Sequence, residues 1–339
     1  MKTALVSGIT GQDGSYLAEY LLELGYKVVG LHRRSSNNNT SRIDSFLQHT
    51  NFILNEFDLT DPSDCGSTLK EYQPDEFYNL AAQSHVGTSF KQPTTTFEIN
   101  AVGVTNVLES IRLHSPHTRF YQASTSEMFG RNYLVDADGE KYQNEETHML
   151  PQSPYACSKL CSHHMVHIYR HSYDLFGCSG ILFNHESPRR GSNFVTRKIT
   201  IYLAKLINGL INKDEKLRLG NINAYRDWGH AQDYVKSMHM MLNYDKPDDY
   251  VISTGITHSV KDFLKQAFQL FDLDYNDYIM IDPAFYRPCE VEFLKGDSTK
   301  ARETLGWKPE YDFEKLVANM VYSDLDTFKN EKKLQRSSL

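Results

Sequence analysis

No apolar run in the chain approaches the roughly 18 residues that a membrane-spanning helix needs, and the amino terminus passes into a strand-like segment without a signal-peptide pattern. There is no C-x-x-C pair, and the five cysteines, Cys65, Cys157, Cys161, Cys178 and Cys289, are odd in number and scattered. Neither a disulfide framework nor a zinc site is indicated, so the thiols are expected to be buried and no metal is expected. Positive charge is also in short supply. A formal net charge of −7 argues against a surface that coats phosphates, which leaves nucleic acid and membrane as unexpected partners. No internal repeat is visible. Together these absences make the cytosol the expected compartment.

The rest is ordinary globular material. Its 339 residues, 40% hydrophobic, 12% aromatic and 23% charged, can bury a sizeable core in one large domain or two closely joined ones. Thr3–Ser7 reads as a buried strand, followed by a Gly-rich turn and by Leu17, Tyr20, Leu21 and Leu24 at helical spacing up to Gly25. Lys27–Leu31, Asn51–Phe57, Glu76–Leu80 and Arg119–Ala123 are further strand candidates, the last two separated by a helical stretch near Thr96–His114. This β-α-β alternation predicts an α/β fold of Rossmann type, a doubly wound parallel sheet whose ligands collect beyond the carboxyl ends of the strands. Residues 131–149 are polar and acidic and hold the turn signal Asp138-Gly139, as in a surface insertion. From about Asn184 the pattern becomes irregular. Strand candidates at Lys216–Leu219 and Tyr250–Ser253, a loop at Pro283–Pro288 and a helix from about Thr299 predict a smaller mixed α/β region. The expected division is 1–183 for a dinucleotide-binding domain, 184–330 for a mainly substrate-binding region that can cross back to the sheet, and 331–339 for a tail frayed after Phe328.

Gly8-Ile9-Thr10-Gly11-Gln12-Asp13-Gly14 lies between the first strand and the first helix, the context a dinucleotide fingerprint requires, although spaced G-x-x-G-x-x-G. Its glycines let backbone N–H groups and a helix amino terminus approach a pyrophosphate. Where an NAD binder places an acid roughly 20 residues on, against the ribose, this chain has Arg33, Arg34, Ser35 and Ser36. A guanidinium fork with hydroxyls suits a 2′-phosphate and so NADP; a solvated basic loop end is the alternative. Asp58-Leu59 is placed to bracket an adenine, and Leu80, Ala81, Ala82 and Ser84 are small enough for backbone to lie along a cofactor.

Tyr155 and Lys159 stand one helical turn apart on one face. A phenol with a reference pKa of about 10 is a poor base, and a nearby ammonium would lower that value. Thr125, after the Tyr121–Ala123 strand, can bond a substrate hydroxyl beside Tyr155. Glu127 adds what simple alcohol oxidation does not need, a base for a proton α to a new carbonyl; a salt-bridged strand-end glutamate is the alternative.

At these residues the chain resembles the extended short-chain dehydrogenase/reductase family, and within it the nucleotide-sugar 4,6-dehydratases. The resemblance runs through Gly8–Leu17, Tyr121–Glu127, Leu182–Gly191 and Arg287–Val291, nearly the whole chain. It implies an NADP-dependent, net redox-neutral removal of water from GDP-mannose, giving the 4-keto-6-deoxy sugar that precedes deoxyhexoses such as those of GDP-fucose or GDP-rhamnose. Tyr155, Lys159 and Thr125 would act at carbon 4, and Glu127 at carbon 5. It further implies that His185 and Arg190 meet the cofactor, while Ser84, Ser126, Glu127, Asn184, Lys198, Leu217, Gly220, Asn221, Arg226, Arg287 and Glu290 meet the sugar nucleotide. In the family the stretch matching Arg34–Arg42 reaches a neighbouring subunit's cofactor region, which implies a homodimer or homotetramer. Ser126 stands where dTDP-glucose dehydratases tend to carry Asp, and residues 131–149 are longer than the family pattern. An epimerase or reductase of the same fold, or a non-catalytic NADP-binding protein, are the other readings; Glu127 argues against the first and Tyr155 with Lys159 against the second. The histidines His163, His164, His167 and His171 crowd one helix without the acidic partner of an H-E-x-x-H site, and Trp228 fits core or pocket wall equally.

Overall fold

The computed structural model describes residues 1–36, 39–286, 289 and 291–337, the last five by backbone alone. The first half alternates as the apolar pattern predicts: β1 (Thr3–Ser7), α1 (Gln12–Glu23), β2 (Lys27–His32), β3 (Phe52–Glu56), α2 (Pro62–Tyr72), β4 (Glu76–Asn79), α3 (Val86–Lys91), α4 (Pro93–Phe97), α5 (Gly103–His114) and β5 (Arg119–Thr125). Within the stretch expected as one helix near Thr96–His114, a π turn at Glu98–Val102 joins α4 to α5. A two-stranded hairpin, β6 (Leu134–Val135) and β7 (Lys141–Tyr142), follows, then α6 (Pro154–Tyr173) and β8 (Gly177–Leu182).

All seven strands of the main sheet run parallel, in the order β3-β2-β1-β4-β5-β8 and finally a strand from much later in the chain. The order reverses beside β1, so the β1–β4 crevice is the switch point where ligands of such sheets bind. Helix ends follow local chemistry. Asp61 caps α2 by accepting from Ser63 N, with Pro62 at the first helical position. Ser153 caps α6 by accepting from Ala156 N, again followed by proline. One core fills the sheet face under α1 and includes Leu17, Leu21, Val28 and Tyr78. Leu5, Val29, Phe77, Phe120, Leu108 and Ile111 form the core on the opposite face, against α2 and α5.

Beyond β8 the strands are short and helices lie between them: β9 (Asn184–Glu186), α7 (Val195–Ile207), β10 (Leu217–Leu219), β11 (Tyr225–His230), α8 (Ala231–Leu242), β12 (Asp249–Ile252), β13 (Thr257–Ser259), α9 (Val260–Gln269), β14 (Ile279–Ile281), α10 (Thr299–Leu305) and α11 (Phe313–Ser337). Helix α8 packs on α1, and β12 pairs with β8 as the seventh strand of the sheet. The Tyr250–Ser253 strand therefore belongs to the sheet instead of the smaller region. β9 and β11 pair in parallel, with β13 antiparallel on the far side of β11. Below them α7, α9 and α11 enclose a separate core containing Ile199, Leu203, Phe263, Phe268, Leu316 and Met320.

Three expectations change. The tail predicted to fray after Phe328 continues α11 to Ser337, because Lys205 lies over the Phe328 ring at 5.2 Å and Lys332 Nζ donates to Asn208 O on α7. The cysteines are not uniformly buried: Cys65 and Cys178 are, whereas Cys157 and Cys289 are exposed and Cys161 is half-buried. Cys157 sits on the outward face of α6, set by the inward placement of Tyr155 and Lys159. The polar 131–149 segment forms the β6–β7 hairpin, closed by Gly139 N donating to Asp136 O, but Gln143 docks it onto the C-terminal region through bonds with Lys295 O and Asp297 N. No described helix is long and apolar enough to cross a membrane.

Candidate active site

A cavity of about 750 Å³ opens at the carboxyl ends of β4, β5 and β8 and is roofed by the later segments. On its sheet side the glycine turn brings the end of β1 against β4. Gly8 has a left-handed φ of +71°, and a Cβ there would lie 2.9 Å from Ala81 N; one on Gly14 would lie 2.4 Å from Gly8 O. Only glycine satisfies both, so the N-terminus of α1 is left open to a phosphate. Gln12, also in the turn, is spent on structure: it donates to His185 O and accepts from Ser187 Oγ, tying the turn to β9. Thr10 O accepts from Arg42, which also donates to Arg189 O, so the chain after β2 folds back over its own turn. Gly11 N closes the turn on Gly8 O.

At the end of β2, Arg33, Ser35 and Ser36 are exposed, in the place where an NAD-type acid would stand. Asp58 accepts from Thr60 N and Oγ1, and the Leu59 side chain is buried against α2 and α5. Neither lines the cavity. Leu80, Ala82 and Ser84 do, whereas Ala81 packs toward the core.

Thr125, Ser126, Glu127, Tyr155 and Lys159 all meet in the cavity. Helix α6 lies along β5 and places its side chains against the strand end. Tyr155 lies beside the Thr125 side chain, Thr125 Oγ1 accepts from Glu127 N at 3.3 Å, and Lys159 Nζ donates to Ala123 O at 2.8 Å. The expected lowering of the Tyr155 pKa is not found. Burial is the main cause that pushes this phenol up to about 12, with the Glu127 carboxylate adding to the rise and the Thr125 side chain opposing it. Lys159 is brought down to about 8 by burial, with the charge of Asp13 working against the fall. The Lys159 ammonium donates to a backbone carbonyl, and no lowering by it is found at the phenol.

Across the cavity, His185 Nε2 lies 2.8 Å from Asp13 Oδ2 and His185 Nδ1 lies 2.8 Å from Phe183 O. Both ring nitrogens face acceptors, which is the arrangement of an imidazolium. Burial opposes that charge, but Asp13 and the carbonyl prevail and raise its pKa. Arg190 stacks on Phe194 and pairs with Glu186 at 3.2 Å. Asn184, Lys198, Gly220, Asn221 and Arg226 line the same space. The Asn184 side-chain oxygen is buried without a hydrogen-bond partner among the described residues, which costs free energy until a donor arrives. Leu217 does not reach the cavity. It packs into the C-terminal core, and the following Arg218, Leu219 and Gly220 line the cavity instead. Arg287 and Glu290 lie outside the described residues.

Several wall residues escaped the sequence reading. Thr88 and Lys91 come from α3, and His85 precedes it as the cap that accepts from Thr88 N. Phe285 and Tyr286 form an aromatic rim, with Lys198 Nζ 5.3 Å from the Phe285 ring. Trp228 is both core and wall: 3% exposed, it stacks on Phe313 and borders the cavity. On α6 the His167 and His171 rings touch, and no group of three histidine, cysteine or acidic residues able to hold a metal occurs among the described residues.

This geometry can be set beside known proteins. A family model described as GDP-mannose 4,6 dehydratase matches residues 5–320. The chain is 50% identical over 343 residues to GDP-mannose 4,6 dehydratase 1 of Arabidopsis thaliana, covering 98% of this chain and 92% of that one. It is 43% identical over 348 residues to the GDP-mannose 4,6 dehydratase of Homo sapiens, covering 95% and 91%. Among solved structures, dTDP-glucose 4,6-dehydratase from Bacillus anthracis in complex with NAD superposes with a TM-score of 0.82 at 22% identity, covering 98% of each chain. RMD from Pseudomonas aeruginosa complexed with NADPH gives 0.78 at 21% identity, covering 96% of this chain and 100% of that one. The solved structures share the fold; the match to the family model and the identity to its plant and human members carry further, and by them the chain belongs to the GDP-mannose 4,6-dehydratase family.

Proposed function

We propose that the chain is a hydro-lyase that converts GDP-mannose to GDP-4-keto-6-deoxymannose and water, with NADP as its resident cofactor. The observation that carries the reading is the meeting of Glu127 with Thr125, Tyr155 and Lys159 in one cavity, a carboxylate beside an alcohol-oxidising set. The open α1 terminus at the glycine turn fits a pyrophosphate, and the exposed Arg33, Ser35 and Ser36 favour a 2′-phosphate over a bare ribose. When bound, NADP stores the carbon-4 hydride until its return at carbon 6, and its oxidised ring brings positive charge that favours a phenolate.

In this reading Thr125 holds the carbon-4 hydroxyl and Tyr155 takes its proton, with Lys159 as the cation beside the pair on the same helix face. The carbon-4 ketone acidifies the carbon-5 proton, which Glu127 removes. The same carboxyl then protonates the departing carbon-6 hydroxyl, which leaves as water; return of the hydride to carbon 6 would leave an enolate, and the solvent-exchangeable proton held by Tyr155 would go to carbon 5, restoring the phenolate and closing the cycle. Asn184, Lys198, Asn221 and Arg226 hold the sugar nucleotide, with the cations facing its diphosphate. Residues 1–183 act mainly on the cofactor and 184–330 mainly on the substrate, although α8 and β12 return to the sheet. A homodimer or homotetramer is supported by Leu113 on α5 with Ile168 and Tyr173 on α6, all exposed.

The test is mass spectrometry of GDP-mannose, UDP-glucose and dTDP-glucose, each incubated with the protein and a trace of NADP. Loss of one water from GDP-mannose alone, without cofactor consumption, is expected. Unchanged masses in all three would remove the dehydratase reading.

A further inference from the structure

Three residues of α6 at successive turns, Tyr155, Lys159 and His163, face the end of β5. The first lies beside the Thr125 side chain and the second donates to the Ala123 carbonyl. The third uses Nδ1, 3.1 Å from Ser124 Oγ. Ser124 also borders the cavity, and neither it nor His163 has a part in the reaction as set out above. Behind His163 the ring's Nε2 lies 3.8 Å from Asp249 Oδ2, and Asp249 is itself held by Arg170 and by Ser179 N.

We propose that His163 is a positioning residue of the reaction centre, the third rung between α6 and β5, which fixes Ser124 and thereby the neighbouring Thr125 against Tyr155. This deepens the dehydratase reading and rests on it. The argument is stereochemical. Asp249 favours a hydrogen on Nε2, because the opposite tautomer would aim a lone pair at a carboxylate. A neutral ring with Nε2–H has a bare Nδ1, so Ser124 must donate its hydroxyl proton to His163. That one choice fixes the rotor of a hydroxyl that is 4% exposed and sits directly before Thr125. The charges around the ring keep it neutral: Asp249 of β12 favours protonation, while burial, Arg170, His164 and His167 of α6 oppose it, and the balance lies below the ordinary histidine value.

The experiment is a double-mutant cycle with Ser124→Ala, His163→Ala and the pair, read as kcat and KM for GDP-mannose, with His163→Asn as the conservative variant. Each single change is expected to lower kcat about tenfold at a KM within about twofold, the pair no more than about twofold further, since both remove one contact. His163→Asn, whose amide oxygen can replace Nδ1 as acceptor, is expected to recover most of the loss. Multiplying effects in the pair, unchanged kcat in the singles, or no recovery by Asn would overturn the proposal. Should His163→Ala fail to fold, Ser124→Ala and His163→Asn alone decide. Nitrogen-15 histidine spectra of the wild type give a readout independent of turnover: the Nε2–H tautomer is expected, and an Nδ1–H tautomer or an imidazolium at neutral pH would overturn it. A wild type that leaves GDP-mannose intact would instead count against the dehydratase reading, with the tautomer still deciding the placement of His163.

Discussion

On the sheet side of the cavity, Thr125, Glu127, Tyr155 and Lys159 come from one strand end and one helix, with Thr125 Oγ1 accepting from Glu127 N, Lys159 Nζ donating to Ala123 O and Tyr155 buried beside Thr125. On the opposite side Asn184, Lys198, Asn221 and Arg226 come from separate short segments, and the Asn184 oxygen has no partner among the described residues. The first wall is held together by bonds within the fold, whereas the second holds a buried amide oxygen, that of Asn184, which a ligand would complete. In physical terms the sheet side is preorganised for making and breaking bonds, and the later side is built to recognise. Substitutions on the two walls should therefore separate kcat from KM.

The largest separation is expected from Tyr155→Phe, which removes the proton acceptor at carbon 4 and should lower kcat by about 10³ with KM nearly unchanged. A rise in KM of similar size would break the division of the walls. Lys198→Ala should do the reverse, raising KM about tenfold with kcat within about threefold, because it removes a contact made equally in ground and transition states. Steady-state kinetics on purified variants check both.

pH sharpens the sheet-side half. Lys159 is lowered to about 8, so its ammonium is lost as pH rises through that value, and kcat/KM is expected to fall on an alkaline limb near 8. Asp13 raises that value, so Asp13→Asn should move the limb to lower pH. A limb that stays in place would remove Asp13 from the electrostatics of Lys159.

The smallest effect on turnover is expected at Asp227, which is buried and anchors β11 to two loops by accepting from Thr254 N, Thr254 Oγ1, Gly255 N and Gly296 N. Burial outweighs these donors and pushes its carboxyl up to about 6. A folded-state value above the unfolded one gives stability that is complete below the ordinary carboxylate value and is lost as pH rises through about 6. The melting-temperature advantage of wild type over Asp227→Asn should thus be larger at about pH 5 than at about pH 7.5. The opposite order would contradict a raised value.

The same contrast explains what the sequence revealed. The glycine turn, the Thr125–Glu127 strand end and the Tyr155–Lys159 helix face were readable because each depends on spacing within one regular element. The ten residues from Leu217 to Arg226 were only partly so: Gly220, Asn221 and Arg226, named through the resemblance, line the cavity, but a strand of three residues carries too little alternation to say which side chain faces it, and Arg218 and Leu219 do so in place of Leu217. The direction of the Tyr155 shift was also hidden. It depends on how deeply the phenol is buried and on the Glu127 carboxylate beside it, and neither is written in a Y-x-x-x-K spacing.

The central claim is that Glu127 performs the elimination as a step separate from oxidation at carbon 4. It is tested most directly by running wild type and Glu127→Gln with GDP-mannose and NADP in deuterium oxide and weighing the sugar nucleotide. The account predicts a dehydrated product carrying deuterium at carbon 5 from the wild type, and from the variant an undehydrated sugar nucleotide that still binds. Dehydration at the wild-type rate by Glu127→Gln would contradict it.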